Sequence, residues 1–380
     1  MPKPPVVPLS VLDLSPVPAG QTAADALRNS IELAISAEEL GYQRFWLAEH
    51  HLSPGVAGSA PHVLSALVAA ATSIIRVGTA ATILGNYQPV QVAENVGTVA
   101  ALHPGRVDLG FGRSGVPKAE APAAAAPGHA EPAAGNRDVD GLVIPPPRPL
   151  FGKAFPERFR LQAKLLSRVP GDADNFESDV QDVVAYFAGQ YRGPEGERVA
   201  VHPAQGHSPQ FWIHGSSAGP SARLAGKLGL PYGANYHVAP SAVLESVAEY
   251  RAHFEPSESL ARPYVAVSAD VLVAPTAAEA ALLGAGFETW VHSIRSGKGA
   301  IPYPAPEDAA TLPRLDSAAH DLVRDRLDTR FVGDPAHVVS GLRALQRVTG
   351  ADELLVTTIT HSQAHRLRSQ QLLAEAWGLG

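Results

Sequence analysis

RFWLAEHH, residues 44–51, is a short apolar and aromatic run that ends abruptly in one carboxylate and two imidazoles. A run of this kind predicts a buried strand, and the C-terminal end of such a strand is where an α/β protein places its chemistry. Upstream, residues 23–40 carry Ala26, Ile31, Leu33, Ala34, Ala37 and Leu40 on a helical pattern; Thr22 or Asp25 can cap its start, and Gly41 stops it. A helix therefore feeds the strand.

The same alternation continues on both sides. Residues 6–14 predict a first strand, residues 60–73 an Ala/Leu/Val-rich helix, and residues 75–84, IRVGTAATIL, a strand buried on both faces. A helix over 91–102 and a strand over 106–111 follow, the latter running into Gly112, Arg113, Ser114 and Gly115. Strands alternating with helices in this way predict parallel pairing with helical crossovers. Residues 116–148 then turn to Ala, Pro and Gly, a stretch read as a structureless insertion, either a lid or a mobile loop. The pattern resumes with a helix over 176–189, a short strand or hairpin arm over 198–202, and strands over 210–214 (QFWIH), 231–236, 264–273 and 353–359. Helices over 218–228, 241–254, 277–292, 338–348 and 362–377 separate or follow them, and a second Gly/Pro-rich excursion covers 296–313. The expected architecture is α/β: one (β/α)8 TIM barrel over residues 1–380, with insertions after strands 4 and 7.

Composition narrows the function classes. A formal charge of −7 with no basic block argues against a nucleic-acid partner, because phosphate backbones require clustered Lys and Arg. The absence of cysteine excludes disulfides, thiolate metal sites and a cysteine nucleophile. No apolar stretch has the length of a membrane span and the N-terminus lacks a signal-peptide core, so a cytoplasmic protein without a membrane partner is expected.

In a barrel the strand ends carry the site. Glu49, His50, His51, Asn86, Arg113, Ser114, Ser216, Ser217, His237 and His361 fall there. Residues 215–221, GSSAGPS, offer Gly215, Ser216, Ser217 and Ser221 between a strand and a helix, which suits either a simple serine cap or a phosphate held by helix amides. Arg113 at the neighbouring strand end could pair with the same dianion. Neither a Walker loop nor a dinucleotide fingerprint is present. Ala80 and Ala81, within TAAT, leave room for a flat group to approach the backbone, or for tight packing against a helix.

Taken together, AEELGYQRFWLAEHH, RVGTAATIL, QPVQVAENVGTVAALHPGRVDLGFGRSG, FWIHGSSAGPSARLAGKLGLPY and FVGDPAHVVSGLRAL resemble the bacterial luciferase-like monooxygenases, especially their single-chain members. The resemblance implies reduced flavin mononucleotide (FMN) at the strand ends, supplied by a separate flavin reductase, with dioxygen as co-substrate. It places the catalytic histidine on His50, a non-prolyl cis peptide on Ala80–Ala81 beneath the flavin ring, and the flavin phosphate on Arg113, Ser216, Ser217 and Ser221. Gly112 stands where luciferase proper has a cysteine, and residues 116–148 do not match the family's mobile loop.

The leading expectation is thus a flavin-dependent monooxygenase, a homodimer acting on a bulky apolar small molecule such as a polyketide or other secondary metabolite. Glu49 and His51 are expected to share one side and orient the rim, with His50 on the other. One rival keeps the fold but uses a deazaflavin for hydride transfer. A second is a metal-dependent barrel hydrolase built on His50, His51, His214 and His237, disfavoured because adjacent His50 and His51 point apart and the first strand has no His-x-His pair, so no metal is expected. A third is a non-catalytic flavin-binding protein.

Overall fold

The computed structural model describes residues 6–113, 135–148, 157–166, 175–309, 311–312 and 314–379. Eight parallel strands pair in sequence order and close into a barrel where the seventh meets the eighth and the sixth. They are β1 (Leu9–Asp13), β2 (Arg44–Leu47), β3 (Arg76–Ile83), β4 (Val107–Gly112), β5 (Gln210–Gly215), β6 (Tyr232–Asn235), β7 (Val265–Val273) and β8 (Glu353–Thr357). The expected TIM barrel is the observed fold. Its strands read as apolar runs because their outward faces, including Val11, Phe45, Val77, Leu109, Ile213 and Leu354, pack beneath the helical ring. The first of those helices, Ala23–Glu39, starts with a capping box in which Thr22 and Asp25 both take part.

Inward-facing residues fill the barrel in layers. At the floor, Arg44 donates to Asp108 (2.8 Å), Gln210 (2.6 Å) and Glu353 (3.1 Å), and Tyr264 donates to Glu353 (2.9 Å). Asp108 also accepts from the Trp46 indole (2.9 Å) and Arg76 Nε (2.8 Å). Above it Trp46 and Trp212 meet edge to face at 4.8 Å, among Leu12, Ala266 and Leu355. Above them His214 packs beside Trp46, and glycines make its room: a Cβ on Gly110 would sit 2.5 Å from His214 Nε2, and one on Gly233 2.1 Å from its Nδ1.

The structure corrects several boundaries. β2 stops at Leu47, although the Ala48 N–H still donates to the Asp13 carbonyl (2.9 Å), so Glu49, His50 and His51 lie beyond the regular strand. Residues 198–202, expected as a short strand or hairpin arm, form no regular strand; the hairpin-arm alternative is met only by the antiparallel Arg192–Arg198 bridge. The helix expected over 277–292 is two, Ala277–Leu283 and Phe287–Arg295, parted at Gly284–Gly286, where Gly286 packs against Pro304. The first insertion is not structureless throughout: Arg137–Val139 and Leu142–Ile144 form an antiparallel hairpin, while residues 116–134 lie outside the described residues. After β7, the excursion lays Phe287, Trp290, Val291, Tyr303 and Val323 onto the barrel's inner aromatic cluster. It continues into an unexpected helix, Ser317–Asp328, and a strand, Phe331–Gly333, paired with β7.

Removing one partner of a buried ion network strands the others, which costs about 3–5 kcal/mol. Asp108→Ala, which strands Arg44, Arg76 and the Trp46 N–H, should lower the unfolding free energy by that amount in urea titration. A change below about 1 kcal/mol would show that the floor is not a stabilising anchor.

Candidate active site

At the C-terminal mouth the loop after β2 is held by one buried carboxylate. Glu49 accepts hydrogen bonds from the Ile83 N–H (3.0 Å) and the Asn86 amide (2.8 Å), and lies 2.8 Å from His51 Nε2. It thereby ties the end of β2 to the turn after β3. Glu49 and His51 lie on one side as partners, beyond the end of the regular strand. The His50 N–H donates to the Gly58 carbonyl (2.8 Å), and its imidazole keeps an open edge toward solvent. Loss of surrounding water pushes its pKa down to about 4, the Glu49 charge opposing this and His51 and Arg158 adding to it. His50 is therefore neutral near pH 7.

The Ala80–Ala81 peptide is cis. These two residues stand opposite the single Gly110 of β4, since the ladder runs from the Thr79–Leu109 pair directly to Thr82–Phe111. The flanking hydroxyls of Thr79 and Thr82 are 3.0 Å apart, and His62 Nε2 reaches Thr82 at 2.8 Å from the helix Pro61–Ala71. His62 was not singled out in the sequence, since a histidine in the first turn of an apolar helix gives no periodic signal. A Cβ on Gly112 would lie 2.9 Å from that of Ala81, so a cysteine there would crowd β3.

The Gly112–His214 pairing sets Arg113, solvent-exposed, beside Gly215 at the next strand end. The helix Pro220–Lys227 begins at Gly219 with no capping side chain, so the serine-cap alternative does not hold and the first-turn amides are left without a side-chain acceptor. Ser216 Oγ accepts from Asn235 Nδ2 (3.0 Å), Ser217 is exposed and Ser221 half-buried. Arg113, Gly215, Ser216, Ser217 and Ser221 thus share the β4–β5 rim; Ser114 lies outside the described residues. His237 lies 2.6 Å from Ser268 Oγ, His214 is inside the barrel, and His361 lies 3.0 Å from the Ala19 carbonyl. Among the described residues no cluster of three or more His, Cys, Asp or Glu is disposed to hold a metal ion, and no helix is long and apolar enough to cross a membrane.

A parallel barrel whose mouth gathers an imidazole, a small-residue platform and an uncapped helix defines a class, and comparison with known proteins supplies the family. The chain belongs to the luciferase-like monooxygenases, whose family model matches residues 7–353. A luciferase-like monooxygenase of Escherichia coli is 32% identical over 365 residues, covering 96% of this chain and 95% of the relative. The solved structure of apo-MsnO8 is 32% identical with a TM-score of 0.78, covering 98% and 99% of the two chains. The same fold, at 17% identity and a TM-score of 0.66 over 98% of each chain, occurs in the oxygenating constituent of 3,6-diketocamphane monooxygenase from Pseudomonas putida, solved with FMN. It also occurs, at 14% identity and a TM-score of 0.59 over 97% and 98%, in an F420-dependent secondary alcohol dehydrogenase.

An NMR titration should find the His50 imidazole uncharged down to a midpoint near 4. Glu49→Gln removes the charge that favours the protonated ring, so it should move the midpoint lower still. A midpoint at the ordinary 6.5 in the native chain would show that the ring is not desolvated.

Proposed function

We propose that this chain is a flavin-dependent monooxygenase that uses reduced FMN, delivered by a separate reductase, and dioxygen to oxygenate a bulky apolar small molecule in the cytoplasm. The observation that carries this is the convergence on one barrel mouth of an imidazole, a side-chain-poor platform and a helix start without a side-chain cap. The residues fit the cofactor. The uncapped helix at Gly219 with Ser216, Ser217, Ser221 and Arg113 suits a phosphate dianion, and Ala80, Ala81 and Gly112 leave no side chain beyond a methyl where a flat ring would lie. Bound there, reduced flavin supplies the two electrons that activate dioxygen.

The chain's own residues do the rest. Arg113 and the serines bind and orient the phosphate end, and Glu49 with His51 keeps the His50 loop in place. A ring nitrogen of neutral His50 accepts a proton during oxygenation, a job worth roughly 10²–10⁴-fold in rate. The aromatic cluster of Phe287, Trp290 and Tyr303 covers one side of the mouth and limits water.

The test is a comparison of flavins. FMN should bind more tightly than riboflavin, which lacks the phosphate, and Arg113→Ala should weaken FMN by at least about tenfold while leaving riboflavin unchanged. Equal affinities would remove the phosphate assignment, and a preference for F420 would replace oxygenation by hydride transfer.

A second copy of the chain is the proposed partner. The helices Pro61–Ala71 and Pro89–Leu102 leave Val63 (64%), Leu67 (52%) and Leu102 (72%) exposed, apolar surface that a homodimer would cover. Light scattering at micromolar concentration should give twice the chain mass, and Leu67→Glu should shift it toward the monomer. A monomer in the native chain would overturn the assembly.

A further inference from the structure

Resting on the reading that the barrel mouth is the active site, we propose that the substrate carries a carboxylate, and that Arg330 and Tyr303 on the β7–β8 side of the mouth bind it. Asp270 and Thr357 are inward-facing register partners near the ends of β7 and β8. Arg326 reaches Asp270 from the helix Ser317–Asp328, Nη2 to Oδ2 at 2.8 Å, and neutralises it. Arg330 lies within electrostatic reach of the same carboxylate, Asp270, as well as of Arg326 and Tyr303, yet among the described residues it makes no ion pair. Two guanidinium groups thus share one carboxylate. One positive charge is left over in a crowded place where burial already disfavours it.

The unpartnered atoms there have a common character. Arg326 Nε, Arg330 Nε, Trp290 Nε1 and Tyr303 Oη are all buried without a hydrogen-bond partner, with Tyr303 0% and Arg326 7% exposed. Each is an N–H or O–H able to donate, so what this cluster lacks is an acceptor. The Arg330 guanidinium lies 3.6 Å from the Phe287 ring centroid, and a guanidinium stacked in this way keeps its in-plane edge for a planar anion. Arg330 also remains partly open to solvent, which gives the group a way in.

The location separates this site from the flavin phosphate. Asp270 is on β7, three strands round the barrel from the β4 end that carries Arg113. Between the two ends stands His237, which senses Asp270, Arg326 and His50 together. A substrate pinned by its carboxylate at Arg330 extends toward His50, where the oxygenation proposed above takes place. The apolar body and the acid group then have different neighbours.

Acetate, and acetamide as its neutral isostere, are titrated into the full chain without flavin at constant ionic strength and pH 7, with binding read by calorimetry and by thermal unfolding. Acetate should raise the unfolding midpoint saturably and acetamide should not. Arg330→Gln and Tyr303→Phe should each weaken acetate by about tenfold or more, the phenylalanine variant removing only the hydroxyl should the first fail to fold. No acetate response, equal responses to acetate and acetamide, or an acetate affinity unchanged in both variants would overturn the proposal, the last marking an adventitious ion only. FMN affinity is measured in the same variants and should not change. A native chain that binds acetate as described but not FMN would sink the flavin reading and leave the anion site standing.

Discussion

The buried charges at the floor of the barrel constrain everything above them. A desolvated guanidinium is tolerated only when its donors are met, and Arg44 meets them with side chains from β4, β5 and β8 at once. That set fixes the relative heights of four strands, because a slip of one residue would turn Asp108 or Glu353 outward into the apolar layer under the helices. The heights of the strand ends follow. His50, Arg113 and Ser216 meet at one mouth because their strands are pinned at the opposite end.

Between floor and mouth the interior trades bulk against absence. Trp46, Trp212 and His214 fill the barrel from β2 and β5, and Gly78, Gly110 and Gly233 face them with nothing. The same economy continues upward into Ala80, Ala81 and Gly112, where the missing side chains leave space at the mouth and not for a neighbouring ring. Packing within the barrel and open space at its mouth are thus one pattern at two depths.

Much of this was legible in the sequence. The eight strands, the order of the crossovers and the polar residues of the β4–β5 rim can be read from apolar periodicity and from where polar residues interrupt it, whereas Arg326, Arg330 and Tyr303 give no such signal. The helix Ser317–Asp328 could not, because it buries Asp325 and Arg326 along with Val323, and periodicity of hydrophobic residues says nothing about buried charge. The split at Gly284–Gly286 depends on contact with Pro304, which lies eighteen residues beyond the near side of that break and is placed only by the tertiary fold. Glu49 and His51 could be paired from their spacing, but the acceptance of Ile83 and Asn86 by the same carboxylate could not.

The mouth is divided electrically as well as geometrically. On the β4–β5 side the positive character comes from backbone dipoles at an uncapped helix start and from the exposed Arg113, both in reach of water. On the β7–β8 side it comes from two guanidinium groups held against the one Phe287 ring and mostly out of water, where each contact is stronger and geometrically stricter. On the proposed reading, the phosphate of the cofactor and the acid group of the substrate fall on opposite sides of the mouth. The neutrality of His50 has a different source, loss of surrounding water, to which the neighbouring His51 and Arg158 add and which the Glu49 charge opposes.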